Sequence, residues 1–250
     1  MWLAFLGAIV IGISLGLFGS GGSILTLPVL LYGLQVPAKL AIAASLLVVG
    51  AISVINATPR ALNKTIPWRH VGLFGGSSML GSYLGAWMGS LVSSQWQLIV
   101  FALLMFSAAF SMWKRQRADS GRRPATLLLL TSGFCVGVVT GFVGVGGGFL
   151  IVPALVTLGT LSLVQAVSAS LVIITLQASV GFVQYWIQLD LTWQRLPLTA
   201  LAVLIVAGAL GSFVGQRLAQ RLPAATLRRI FAVFLWGMAA FVIWQQLRGG

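Results

Sequence analysis

The sequence predicts an all-α polytopic membrane protein: an inverted-topology repeat in which each half is a broken helical hairpin plus three transmembrane helices. Three observations lead there. The first is composition. Apolar residues make up 59% of the 250 and charged residues only 7%, against roughly a quarter charged in soluble domains. Too little polar surface remains to clothe such a core in water, and the chain is far too apolar for disorder. The solvent is therefore a bilayer. The second observation is an internal duplication. The third is the placement of charge: 15 Lys and Arg against 2 Asp and Glu, a net +13. On a soluble domain that balance would suggest nucleic acid. Here the cations sit at the ends of apolar runs, where they act as topology signals facing an anionic leaflet, and no nucleic-acid partner is expected.

The duplication emerges when the chain is laid on itself with an offset of 125 residues. Gly12, Gly16, Gly19, Gly21 and Gly22 then fall on Gly137, Gly141, Gly144, Gly146 and Gly147. Leu25 and Pro28 meet Leu150 and Pro153, Ala41, Ala44, Ser45 and Leu46 meet Ala166, Ala169, Ser170 and Leu171, and Trp68 meets Trp193. Beyond that the offset becomes 130: Leu80, Gly81, Ser82 and Gly85 meet Leu210, Gly211, Ser212 and Gly215, and Phe101 meets Phe231. The matches keep their order over half the chain and include Pro and Trp, which glycine-rich coincidence does not explain. Residues 1–250 thus read as one transporter domain, with repeat one at 1–114, a cytoplasmic linker at 115–124 and repeat two at 125–250.

Within each repeat a broken segment precedes three plain spans. The plain spans are 38–57, 70–92 and 96–114, then 164–186, 193–215 and 227–247, each near the roughly 20 residues a bilayer demands. The broken segments, 2–34 and 125–159, each hold a long arm (2–18, 125–143), a glycine loop and a short arm (23–34, 148–158). As helices the short arms fall well short of a ~30 Å hydrocarbon core.

Charge decides how each broken segment runs. Loop 114–123, with Lys114, Arg115, Arg117, Arg122 and Arg123, belongs in the cytoplasm. If 125–159 turns back rather than crossing, twelve cations lie inside and only Lys39, Arg195 and Arg248 outside. Both broken segments are then hairpins, re-entrant or as two tight spans, and both termini lie outside. A hairpin leaves each half with an odd number of crossings, so successive copies point in opposite directions. That is the inverted-repeat plan of many secondary transporters, in which paired helix breaks mark the binding site. Met1, Trp2 and Leu3 offer no basic n-region, so no cleavable signal peptide is expected.

The two loops read Gly19-Ser20-Gly21-Gly22-Ser23 and Gly144-Val145-Gly146-Gly147-Gly148, and each opens a short apolar helix. A helix N-terminus carries unpaired N–H groups and partial positive charge, and glycine lets the backbone approach a ligand. Two such termini near the midplane would cradle an anion without any buried Lys or Arg. The same glycines would also serve tight turns and close helix contact, and neither loop ends in the GK[ST] of a nucleotide site. Ser45 and Ser170, at matched positions, offer one hydroxyl per half, for an oxyanion or for packing. Gln177, near the middle of 164–186, must find a partner for its amide, which is either packing or substrate. Pro28 and Pro153 kink the short arms.

The remaining polar residues have blander readings. Asn56 and Gln184 are expected near solvated helix ends, and Thr26 and Thr140 to bond back to their own helices. His70 belongs to a cytoplasmic helix start, and Cys135 to interhelical packing. Trp68, Trp193, Trp96 and Trp113 mark interfaces. The chain has no Glu, and its two aspartates, Asp119 and Asp190, are in loops. Hydrolytic, metal and cofactor chemistry therefore lack their residues, and so does a membrane carboxylate relay. The chain is not expected to be an enzyme.

The run GLFGSGGSILTLPVLL and its counterpart GFVGVGGGFLIVPALV, with AIAASLLVV and AVSASLVII after them, resemble the TauE/SafE family of sulfite exporters, also described as transporters of anionic sulfur compounds. The resemblance covers nearly the whole chain. It implies movement of sulfite, a sulfonate such as sulfoacetate, or thiosulfate across the bacterial inner membrane; the basic loops, by their charge, are expected to meet anionic lipids at the cytoplasmic face. Composition and spacing alone reach an inverted-repeat transporter for an anion. They leave a channel-like anion pore and a non-transporting membrane scaffold as alternatives, and leave oligomeric state open. Val145 stands where loop one has Ser20, so the two halves are not chemically equal.

Overall fold

The computed structural model describes residues 9, 11–14, 16–17, 22–113, 126–158, 161–192 and 196–249. The described residues are helical almost throughout, without strands. Residues 9–17, where described, are helical. Helix α1 spans Gly22–Pro28 and continues through a π-helical turn, Val29–Gly33. Helix α2 is Ala38–Leu62. Trp68–His70, the π turn Val71–Gly75 and Gly76–Leu91 run on without a break as α3. There follow α4 (Ser94–Trp113), α5 (Thr126–Val143), α6 (Gly148–Thr157), α7 (Leu163–Gln188), α8 (Leu198–Arg221) and α9 (Ala224–Gly249).

The boundaries follow local chemistry. Pro37, Pro67 and Pro197 immediately precede α2, α3 and α8, where a missing N–H costs nothing. Ser162 opens α7 with a reciprocal capping box to Gln165. The turn after α7 puts Asp190 at φ 45°, a left-handed conformation that Asp tolerates better than most residues. Three glycines within five residues, Gly72, Gly75 and Gly76, weaken the helix where the π turn falls in α3.

Six of the described helices are long and apolar enough to cross a membrane, among them Ala38–Leu62, Thr126–Val143 and Val164–Gln188. The short arms are helices α1 and α6, and all the plain spans lie within two to six residues of their expected ends. Outward-facing side chains are those lipid would meet. Trp68, Trp96 and Trp113 are all exposed, as expected of interfacial tryptophans, whereas Trp193 lies outside the described residues. Cys135 departs from expectation: it is exposed, on the outer face of α5, and packs no helix interface.

Glycine positions set the packing. On one side, Gly81 and Gly85 of α3 face Gly137 and Gly141 of α5 so closely that a Cβ at Gly81 would meet the Phe134 carbonyl, and one at Gly85 the Val138 carbonyl. On the other side, Gly12 and Gly16 meet Gly208 and Ser212 of α8, while Gly211 and Gly215 meet the backbone at Ile9 and Ile13. Each contact in one seam has its counterpart in the other at the offsets of 125 and 130 found in the sequence. The long arm of each half therefore packs on the second plain span of the other half. Both seams are contacts within the chain and across its halves. Between the seams α2 packs on α7, where Gly50 and Ala178 touch, and α4 packs on α9 through Phe106, Trp113 and Trp236.

Candidate functional site

The second glycine loop, 144–148, is buried at every residue. Gly144, Gly146 and Gly147 have φ of 72°, 68° and 59°, which L side chains rarely adopt. There is also no room for a side chain. A Cβ at Gly144 would strike Ile42, one at Gly146 would lie 3.0 Å from Val49 Cγ1, and one at Gly147 would run into Thr140. The loop is thus wrapped by α2, α5 and α7. Val145 turns its side chain fully into the apolar core. Gly147 is the N-cap of α6 and offers no side-chain cap, so the first amides of that helix have no side chain to satisfy them.

Polar groups on four helices gather around the loop. Ser45 Oγ, fully buried on α2, donates to the Gly144 carbonyl at 2.7 Å and to its own Ile42 carbonyl at 2.8 Å. Thr140 Oγ1 on α5 lies 3.3 Å from Gln177 Oε1 on α7, and 2.8 Å from where a Gly147 Cβ would stand. Ser82 Oγ on α3 donates to the Gln177 backbone carbonyl at 3.1 Å. Gln177 is 1% exposed, and its Nε2 has no hydrogen-bond partner. Buried polar groups are nearly always paired, so this amide stands out.

Ser45, Gly144, Val145, Gly146, Gly147, Gly148 and Gln177 accordingly gather in one region. Ser170 is buried and bonds back to the Val167 carbonyl at 2.9 Å. Gly19, Ser20 and Gly21 lie outside the described residues, and of Ser23 only its place in α1 is described, beside Gly22. Helices α1 and α6 touch each other.

Two polar clusters went unseen in the sequence. Asn56 is not solvated at a helix end: it is 1% exposed, and its Oδ1 accepts from Ser212 Oγ at 2.6 Å and Gln216 Nε2 at 2.8 Å. Gln184 is likewise buried. The reason is that α2 and α7 are the most covered of the membrane-length helices, so a residue on their inner faces is buried even near the helix end, although Leu62 and Ile187 on their outer faces are exposed. The second cluster ties helix ends together. Lys39 Nζ donates to the carbonyls of Gly89 and Val92 and to Gln97 Oε1, while Gln97 Nε2 donates to the Phe142 carbonyl at 2.6 Å and to Tyr185 Oη at 2.7 Å. A glutamine amid the apolar run of 96–114 was the available signal. Among the described residues no group of His, Cys, Asp and Glu could hold a metal ion.

Comparison with known proteins bears on what this arrangement serves. The family model for the sulfite exporter TauE/SafE matches residues 4–242. The chain belongs to the TauE/SafE family. It is 32% identical over 246 residues to a protein of Xylella fastidiosa named a probable membrane transporter, covering 94% of this chain and 92% of that one. It is 27% identical to the probable membrane transporter YunE of Bacillus subtilis, over 98% and 99% of the two chains. A sulfite exporter TauE/SafE family protein 3 of Arabidopsis thaliana shares 28% over 49% of this chain and 25% of its own. No solved structure matches. As a TauE/SafE member with six apolar membrane-length helices, the chain is a multi-pass transmembrane transporter.

Proposed function

We propose that the protein carries small sulfur-containing anions, namely sulfite, a sulfonate such as sulfoacetate, or thiosulfate, across the bacterial inner membrane by alternating access. The substrate site lies between the two glycine loops: Gly19, Ser20, Gly21, Gly22 and Ser23 on one side, Gly144, Val145, Gly146, Gly147 and Gly148 on the other, with Ser45, Ser170 and Gln177 beside them. One observation carries this reading. The uncapped N-terminus of α6 and the unpartnered Gln177 amide border the same buried loop, so donors converge there on a place fit for a negative solute.

The two halves act as inverted repeats, with both termini on the periplasmic side. In support, each long arm packs on the other half's second plain span through matched contacts, as two copies related by a twofold axis would. A hairpin course for α5 and α6 is supported in the same way. Phe142, at the end of α5, reaches Gln97 and Tyr185. Yet Ile151, Val152 and Leu155 of α6 share a cluster with Ile66, Val71 and Phe74, and Phe74 is level with Gly133 in the first half of α5. These contacts support a chain that turns back at the glycine loop. Rocking of one half against the other would expose the site alternately.

The test is flux of sulfite and sulfoacetate into proteoliposomes. The wild-type chain is expected to move at least one of them, and Gly21→Leu to reduce that movement to the protein-free rate. No flux of either anion above protein-free liposomes would remove the reading.

A further inference from the structure

We infer that Gln177 is the specificity-determining residue of the second half, presenting its side-chain N–H to an oxyanion held at the N-terminus of α6, and that Thr140 is the residue that positions that amide. The inference deepens the transport reading and rests on it.

Four observations converge. Gln177 is 1% exposed, and its Nε2 is without a partner. Its other amide atom, Oε1, lies 3.3 Å from the Thr140 hydroxyl, which also bonds back to the Gly137 carbonyl of its own helix at 3.2 Å. Thr140 itself abuts Gly147, the N-cap of α6. One helical turn before Gln177, Ile174 lies 3.7 Å from the place a Gly146 Cβ would occupy. The amide is therefore beside the loop with its carbonyl end turned toward Thr140 and its donor end free. A buried donor without an acceptor is costly, and here the missing acceptor is supplied by the ligand.

The geometry also says which ligand chemistry fits. Gln177 and the α6 amides are separate donors approaching one place. A pyramidal sulfite or a tetrahedral sulfonate has several oxygens and can accept from both at once. Chloride, with the same sign of charge, also accepts from several donors but is one compact sphere, so it cannot set a separate oxygen against each. The position matching Gln177 in the first half is Ile52, which is fully buried and apolar. This discrimination is therefore exercised from one half only. Thr140 matters because an amide can turn over about its terminal bond, exchanging oxygen for nitrogen. With the hydroxyl gone, the carbonyl can face the loop and repel the anion. The backbone beneath is fixed by Ser82, whose hydroxyl donates to the Gln177 carbonyl.

The experiment measures half-saturating concentration and maximal rate for sulfite and sulfoacetate, with chloride as competitor, using the full chain in proteoliposomes. Gln177→Leu should raise half-saturation about tenfold or more, the loss expected for a hydrogen bond to a charged group, and chloride should compete better. Thr140→Val should raise it several-fold, while Thr140→Ser, which restores the hydroxyl, stays near wild type. Should Gln177→Leu fail to fold, Gln177→Asn, which withdraws the donor by one methylene, reads the same effect. An unchanged half-saturation, with only the maximal rate or the yield of folded chain reduced, overturns the inference and leaves the transport reading standing. If the wild-type chain moves neither probe and neither raises its melting temperature in detergent, both fall together.

Discussion

Ser82 and Ser212 occupy matched positions in the two halves and are bonded differently. In the first-half cluster Ser212 donates to Asn56 Oδ1, Gln216 donates to the same oxygen, and Asn56 Nδ2 donates back to the Ile52 carbonyl at 2.9 Å. In the second-half cluster the residue matching Asn56 is Gly181, so Ser82 turns to the Gln177 backbone instead. The Gln177 amide is left with a free donor. One scaffold has thus been finished in two ways. In one half the polar residues satisfy each other and clamp α2 to α8, and in the other they leave a donor facing a glycine loop. Duplication supplies the frame, and divergence at single positions such as Ile52/Gln177 and Asn56/Gly181 decides which half meets the substrate.

The largest effects should come from what the halves share. A Leu at Gly85 or at its match Gly215 would press on the Val138 or Ile13 carbonyl, and overpacking against backbone should cost roughly 3 kcal/mol or more. Both variants should lose the monodisperse peak on size-exclusion chromatography. Gly72→Ala and Gly237→Ala, where nothing stands within 4 Å, should instead raise the melting temperature slightly, by about 0.5–1 kcal/mol of stability. If only Gly85 proved sensitive, the matched seams would not be equivalent.

A smaller effect is expected where five helix ends meet. Replacing Lys39 by Met strands the carbonyls of Gly89 and Val92 and Gln97 Oε1, a loss of about 2 kcal/mol after allowing for partial solvation, measurable as a lower melting temperature. An unmoved melting temperature would mean water replaces the ammonium.

The comparison is sharpened most finely by Asn56→Leu. It should lower stability by about 1–2 kcal/mol, because Gln216 loses its acceptor, while leaving the half-saturating sulfite concentration unchanged. A change in half-saturation there would make the first-half cluster a substrate site as well.

Much of this frame was legible in the sequence, because its causes are local or periodic. Apolar runs of roughly membrane length mark the plain spans, and the offsets of 125 and 130 mark matched elements, so helices and their counterparts could be read directly. Helix partners could not. Nothing local says that Gly12 meets Gly208 rather than a helix of its own half, since that choice is made by tertiary packing. The glycine loops were legible as breaks. The Thr140–Gln177 pair was not, because those residues are 37 positions apart and their contact depends on how α5 crosses α7. Asn56 and Gln184 were misjudged by their distance from a helix end, which predicts solvation only for a helix at the rim of a bundle. Cys135 erred the other way: small and apolar, it was assigned to packing, but on a helix in lipid the outer face is equally apolar.

The most direct test adds a single methyl group at two places. Gly146→Ala sets a side chain against Val49 inside the second loop at φ 68°, and Gly76→Ala sets one in open space on α3. Sulfite flux in proteoliposomes, normalised to folded protein, should fall at least tenfold in the first and stay at the wild-type rate in the second. Equal flux in both would contradict a substrate held at that loop.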